Sequence, residues 1–267
     1  MRIKHIFSDM DGTLLNSQGK LSDSNAELIT QSQLPLTLVS ARAPIEMKDV
    51  IDKLGLTGAQ IGFNGGLIYR YKDKHLQVLH QQPLEKDDTA ELIQMFNRHY
   101  PHISQFYYGL EDWYTYRMDS GIEYQVKMTG QSVTIIDEEA YMKAEFPIFK
   151  IMLISFNADE LKSLKHILKE SNLPNISIHQ TSEIQIEITH QKAQKSKGID
   201  YIIREEKLQT NEVAAFGDGS NDIPMFERVG FGIAMANASD SIKDKVDIVT
   251  KSNDEDGVGF GIHNYLL

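Results

Sequence analysis

Two stretches of this 267-residue chain hold residue types that can do chemistry at a spacing that suits it. The first is Ile3-Lys4-His5-Ile6-Phe7-Ser8-Asp9-Met10-Asp11-Gly12-Thr13, a β-forming run that ends in two carboxylates one residue apart and then a glycine that lets the chain turn. While the extended conformation lasts, residues i and i+2 point the same way, so Asp9 and Asp11 can face one small volume. Crowded anions resist desolvation, and the usual remedy is a hard divalent cation with oxygen ligands, Mg²⁺ where phosphate is the other ligand. The pair therefore predicts a metal, a phosphate, or both. A carboxylate attacks phosphorus to give an acyl phosphate that water later cleaves. A second carboxyl nearby can protonate the leaving alcohol and then activate that water. Asp9, on the rigid strand, takes the nucleophile's place, and Asp11, where the chain begins to turn, the acid/base's.

The second stretch is Glu212-Val213-Ala214-Ala215-Phe216 running into Gly217-Asp218-Gly219-Ser220-Asn221-Asp222, again an apolar strand ending in acids and glycines. Asp218 and Asp222 can complete a magnesium site with Asp9, and Asn221 can donate to a phosphoryl oxygen or orient a carboxylate. Either stretch alone also reads as ordinary turn chemistry. Two acidic strand tips in one chain point to a shared site.

Anion grips lie between them. The strand Leu36-Thr37-Leu38-Val39-Ser40 ends in a small hydroxyl, and Ala41-Arg42-Ala43-Pro44 opens a helix that Gly55 closes. Ser40 Oγ and the free N–H groups there can take phosphoryl oxygens, although a serine here can also be a plain cap. Further on, Lys195-Ser196-Lys197-Gly198 precedes a helix with Ile199, Ile202 and Ile203 on its apolar face. Lysine at a helix start opposes the dipole and calls for an anion. Lys195 and Lys197 are both candidates and, two residues apart, cannot both face it.

The elements that must position these groups alternate strand and helix. Ser22 or Ser24 can cap a helix reaching Gln33, and Ile61 to Tyr69 around Asn64-Gly65 reads as a hairpin. From Pro83 the texture changes to an insert: a helix from Glu85 to His99, six aromatics between Phe106 and Tyr116, a strand at Ile148–Ile154, a helix from Asp159 to Glu170, and strands around Ile176 and Ile184. The aromatics either line a pocket or pack core. A formal charge of −11 argues against nucleic acid or an anionic membrane surface as main partner. The absence of cysteine excludes thiolate chemistry and disulfides and fits a cytoplasmic location. No signal-type segment precedes the first strand, and the longest apolar stretch, Ile148–Phe156, carries Lys150 and is too short to span a bilayer.

Asp9-Met10-Asp11-Gly12-Thr13, Ser40, Lys197-Gly198 and Gly217-Asp218-Gly219-Ser220-Asn221-Asp222, in that order, resemble the four motifs of the haloacid dehalogenase superfamily. More closely the chain resembles the Cof-type sugar-phosphate phosphatases, bacterial enzymes with a large α+β (C2-type) cap between the second and third motifs. Asn64-Gly65-Gly66 and Asp254-Glu255-Asp256-Gly257-Val258 extend the likeness. It implies an α/β fold: a Rossmann-like three-layer core with a parallel sheet, helices on both faces and the active site beyond the carboxyl ends of the strands. Residues 1–82 and 183–267 would form that core and 83–182 the specificity cap. It implies Mg²⁺ held by the Asp9 side chain, the Asp11 carbonyl and Asp218, with Asp222 close by or acting through water. The phosphoryl group would meet Met10, Ser40, Ala41, Lys197 and Asn221. Lys197 is preferred over Lys195 because the family lysine directly precedes the glycine. Ala41 stands where many relatives have glycine but keeps its N–H. The implied activity is Mg²⁺-dependent hydrolysis of a small phosphorylated metabolite through an aspartyl phosphate. A phosphomutase or phosphotransferase would use the same intermediate while excluding water from it. A non-catalytic metabolite-binding protein would normally lose the nucleophile or the metal acids, all of which are present.

Overall fold

The computed structural model describes residues 2–137, 146–171 and 173–267. They form two compact units: Met1–Arg42 with Met47–Gln81 and Gln194–Leu267, and Gln82–Ala193 with Ala43–Glu46.

The first unit is built on β1 (His5–Ser8), buried at all four positions. It lies parallel between β2 (Leu36–Leu38) and β12 (Val213–Gly217), and β13 (Phe231–Ala234) and β14 (Ile248–Val249) complete a five-stranded parallel sheet in the order β14-β13-β12-β1-β2. Both faces are covered, which is why β1 and β12 read as continuous apolar runs and not as alternating ones. On one face Phe7 and Ala215 pack with Ile199 and Ile202 of the helix Lys195–Glu205. On the other, the ring of Phe216 reaches Gly261, at the end of the short helix Gly257–Gly261. Of the two candidate caps, Ser22 caps α1 (Asp23–Gln31), while the Ser24 hydroxyl bonds Asp256. Pro44 starts α2 (Pro44–Leu54), and Gly55 follows it at φ +62°, as the sequence predicts. The expected hairpin is present: β3 (Gln60–Gly62) pairs antiparallel with β4 (Leu67–Lys72), which pairs with β5 (His75–Gln81).

The second unit has a six-stranded sheet of its own. Its strands are β6 (Ser104–Tyr108), β7 (Trp113–Thr115), β8 (Thr134–Ile135), β9 (Lys150–Ile154), β10 (Ile176–Ser182) and β11 (Gln185–His190), in the order β10-β11-β9-β6-β7-β8. Its helices are α3 (Lys86–His99), α4 (Ser120–Thr129) and α5 (Ala158–Glu170). Leu92, Phe96, Leu164 and Leu168 from α3 and α5 pack on Tyr107, Ile151, Leu153 and Ile188 of the sheet. The unit ends at Ala193 and not at 182, because β11 pairs with β9 and β10. Residues 183–193, expected in the core, therefore finish the inserted sheet. The expected insert also spans 138–145 and 172, which lie outside the described residues. Among the described residues no helix is long and apolar enough to cross a membrane.

Candidate active site

Strand register assembles the site. The Asp9 N–H donates to the Phe216 carbonyl at 3.0 Å, one step beyond the β1–β12 pairing, so Asp9 and Asp218 leave adjacent strands almost level. Ser40 follows β2 in the same way, with the Val39 N–H donating to Ser8 at 2.8 Å. Gly12 must be glycine: its φ is +78°, and a Cβ there would collide with the Asp218 carboxylate. Thr13 Oγ1 donates to Asp218 Oδ1 at 2.7 Å. The turn is held from outside by two asparagines: Asn237 Nδ2 donates to the Gly12 carbonyl at 2.8 Å and Asn253 Nδ2 to that of Leu15 at 2.9 Å. The Asn253 N–H in turn donates to Asn237 Oδ1 at 3.0 Å.

Asp9, Asp218 and Asp222 converge, each offering an oxygen within 4.8 Å of the others. Asp222 is fixed by backbone, its Oδ2 accepting the Asp218 and Gly219 N–H groups at 3.0 and 2.9 Å. Lys195 Nζ bridges Asp9 Oδ1 and, at 2.7 Å, Asp222 Oδ1. Burial pushes the Asp9 carboxyl up to about 7, with Asp222 adding to the rise and Lys195 opposing it. Burial alone would lower the Lys195 ammonium, but the Asp9 and Asp222 carboxylates outweigh it, so Lys195 stays protonated. Burial also raises Asp218, against the Thr13 hydrogen bond.

Two expectations need correction. Lys197 is exposed, whereas Lys195 is 4% exposed and reaches the carboxylates. The helix Lys195–Glu205, here α6, begins at Lys195 itself, so Lys195 shares a face with Gly198, Ile199 and Ile202 at helical spacing, and Lys197 points about 200° away. Gly65, in the hairpin turn at φ +98°, makes this possible: a Cβ there would overlap the Gln194 carbonyl, just before Lys195. The second correction concerns Asp11. Strand geometry ends at Ser8, so the carboxylate of Asp11 does not join that of Asp9 but lies exposed in a bidentate pair with Arg42, Nε to Oδ2 at 2.9 Å and Nη2 to Oδ1 at 2.6 Å.

The remaining expected groups are at the strand tips. Met10 is fully buried, Ala41 half-buried, and Ser40, 1% exposed, accepts the Arg42 N–H at 3.1 Å, leaving its hydroxyl proton for an anion. Asn221 is exposed, beside Gly219. Arg42, Asn237 and Asn253 went unread in the sequence. Arg42 carries a signal, a guanidinium two residues past a strand-tip serine. The asparagines carry none, since their partners are backbone carbonyls more than 200 residues away.

A sequence model of the haloacid dehalogenase-like hydrolases matches residues 6–262. The chain belongs to that family. A Haemophilus influenzae protein named only as a candidate phosphatase is 31% identical over 97% of this chain and 96% of its own. The 5-amino-6-(5-phospho-D-ribitylamino)uracil phosphatase YwtE of Bacillus subtilis is 30% identical over 99% and 98%. The crystal structure of TM0651 from Thermotoga maritima has the same fold, with a TM-score of 0.89 over 98% of this chain and 97% of that one at 22% identity. Within the family this hydrolase sits on the Cof-type phosphatase branch.

The donor set of this hydrolase fits a hard divalent cation. Three hard oxygen donors, Asp9, Asp218 and Asp222, meet around a single ammonium, the donor type and number that suit such an ion.

Proposed function

We propose that this hydrolase is a Mg²⁺-dependent phosphatase that cleaves phosphomonoesters of small metabolites, with phosphorylated sugars or sugar-alcohol chains as the substrate class, through an aspartyl phosphate on Asp9. The observation that carries the reading is Asp9 itself: a buried carboxylate at a strand tip, one oxygen held by Lys195, amid two further carboxylates. Asp9, Asp218, Asp222 and the Asp11 carbonyl would hold Mg²⁺, which would neutralise the phosphoryl oxygens and the carboxylates together.

Asp9 attacks phosphorus, the ester P–O bond breaks, and its electron pair leaves on the alcohol oxygen, which takes a proton from Asp11. Asp11 then accepts a proton from the water that attacks the acyl phosphate, releasing inorganic phosphate and restoring Asp9. Lys195, Ser40 and the N–H groups of Met10 and Ala41 supply donors to the transferring group, with Asn221 at its edge. The bidentate hold of Arg42 sets the rotamer of Asp11, and Thr13 sets that of Asp218. YwtE, with a phosphorylated ribityl chain on a uracil ring in the substrate of its name, supports the small-metabolite class.

Phosphate release from a panel of hexose phosphates, nucleotides, pyridoxal phosphate and flavin mononucleotide, measured in chelator and after adding Mg²⁺, tests this. Magnesium-dependent release is expected. An isomerised sugar without free phosphate would make the chain a mutase, and no turnover of any phosphoester would sink the reading.

A further inference from the structure

We infer that Asn25, Asn237 and Asn253 are positioning residues that set the affinity of the carboxylate cluster for a divalent cation, by pinning the carbonyls around that of Asp11 so that it stands free and fixed in direction; this rests on the metal reading proposed above. Residues 10–15 lie past the end of β1, outside the sheet ladder, and their carbonyls must find donors elsewhere. The Met10 carbonyl accepts the Leu15 N–H at 2.8 Å. Asparagine amides take the next ones: Asn237 Nδ2 donates to Gly12 at 2.8 Å, Asn25 Nδ2 to Leu14 at 3.3 Å and Asn253 Nδ2 to Leu15 at 2.9 Å. The carbonyls of Asp11 and Thr13 accept no hydrogen bond among the described residues. Of these two, the Asp11 carbonyl belongs to the peptide that joins Gly12, where an added Cβ would collide with the Asp218 carboxylate.

Holding the neighbours aims the carbonyl between them. A peptide group is planar and each residue has only two soft dihedrals, so the Asp11–Gly12 plane is set by the planes on either side. Leu15 holds the plane before it through Met10, and Asn237 the plane after it through Gly12. An acceptor aimed in advance gives up little freedom when it takes a cation, whereas one on a loose loop must be ordered first.

The amides lead to one segment. Asn237 Oδ1 accepts the Asn253 N–H at 3.0 Å, and Asn25 Oδ1 accepts the Gly259 N–H at 2.9 Å. Between Asn253 and Gly259 lies Asp254–Val258, a stretch that shares the family pattern and takes no part in the proposed chemical steps. Its acids fasten the far end of the same loop. Asp254 Oδ1 accepts the Ser17 N–H at 2.7 Å, and Asp256 accepts the Ser22 and Ser24 hydroxyls, each at 2.5 Å. A loop that needed only to be compact could close on its own turn bonds; this one is tied by side chains more than 200 residues away.

Mn²⁺ takes the same hard oxygen donors as Mg²⁺, and its paramagnetic resonance signal counts the free ion. Titrated into the full-length, substrate-free protein, it should bind Asn253→Ala and Asn237→Ala about tenfold more weakly than the wild-type chain, the usual cost of losing the support behind a metal ligand. Asn157→Ala, which removes the side-chain cap of α5 in the second unit, should lower the melting temperature and leave Mn²⁺ affinity unchanged. An equal loss of affinity in Asn157→Ala would trace the effect to general destabilisation and overturn the inference. Unchanged affinity in Asn237→Ala would also overturn it, and because Asn237 is exposed that variant carries the test if Asn253→Ala does not fold. Failure of the wild-type protein to bind Mn²⁺ defeats the metal reading and this inference together. Metal-dependent phosphate release by the wild-type protein, with Mn²⁺ affinity unchanged in Asn237→Ala, defeats this inference alone.

Discussion

Each unit of the molecule buries a lysine against carboxylate, and the two sets differ in where the fold places them. In the first unit one ammonium, Lys195, serves a cluster of three carboxylates, Asp9, Asp218 and Asp222. In the second, Lys150 lies 3.2 Å from Glu187 and over the ring of Tyr108. In the first set burial pushes the Asp9 carboxyl up to about 7, with Lys195 opposing the rise and Asp222 adding to it. The second set lies within antiparallel strands, where β9 and β11 bring Lys150 and Glu187 together. The same residue types therefore gather three carboxylates at strand tips in one place and lie inside a sheet in the other.

The largest way to break this contrast is Asp9→Asn. An amide cannot attack phosphorus, so phosphate release should fall about 10⁴-fold or more, while a melt should show the fold intact because one buried charge has gone. Next, Lys195→Met should lower activity about 10²- to 10³-fold, the usual loss for a donor to a developing oxyanion, and Lys197→Met less than about threefold; the reverse order would return the phosphate contact to Lys197. Arg42→Lys, which gives up the two-pronged hold on Asp11, should lower kcat about tenfold with little change in KM; an unchanged kcat would remove Arg42 from the positioning of Asp11.

The smallest effect sharpens the contrast through pH. In metal-free protein the unfolded chain gives up the Asp9 proton near 3.8 and the folded chain keeps it to about 7. Between those values the folded state binds more protons, so stability falls as pH rises through that window. A cation that binds the ionised form reverses the loss. Saturating Mg²⁺ should thus raise the melting temperature by about 5 °C more at about pH 8 than at about pH 5. Equal shifts at both would mean that Asp9 is not a ligand.

Much of this was legible in the sequence for a physical reason. A buried parallel strand must be apolar throughout, so acids at its end stand out, and Asp9, Asp218 and Asp222 could be read from that contrast alone. Lys195 was misread because motif spacing was preferred to helix phase: counted back from Ile199 and Ile202, it is Lys195 that lies on the buried face. The end of the insert was missed because β11, apolar and followed by a helix, looks locally like one more core strand; only its antiparallel pairing with β9 shows otherwise. Lys150 lay in plain view inside an apolar strand, yet its partner Glu187 could be recognised only once β9 and β11 were in register.

The pairing of His5–Ser8 with Val213–Phe216 bears on how the protein is made. β1 emerges before β12, the strand that flanks it and brings Asp218 to Asp9, which follows about 200 residues later, roughly 10–40 s at ordinary elongation rates. The insert, almost unbroken from Gln82 to Ala193, is complete before then. The nascent chain therefore carries the second unit whole while the strand that ends at Asp9 is still open along one edge, and the carboxylate cluster closes only afterwards.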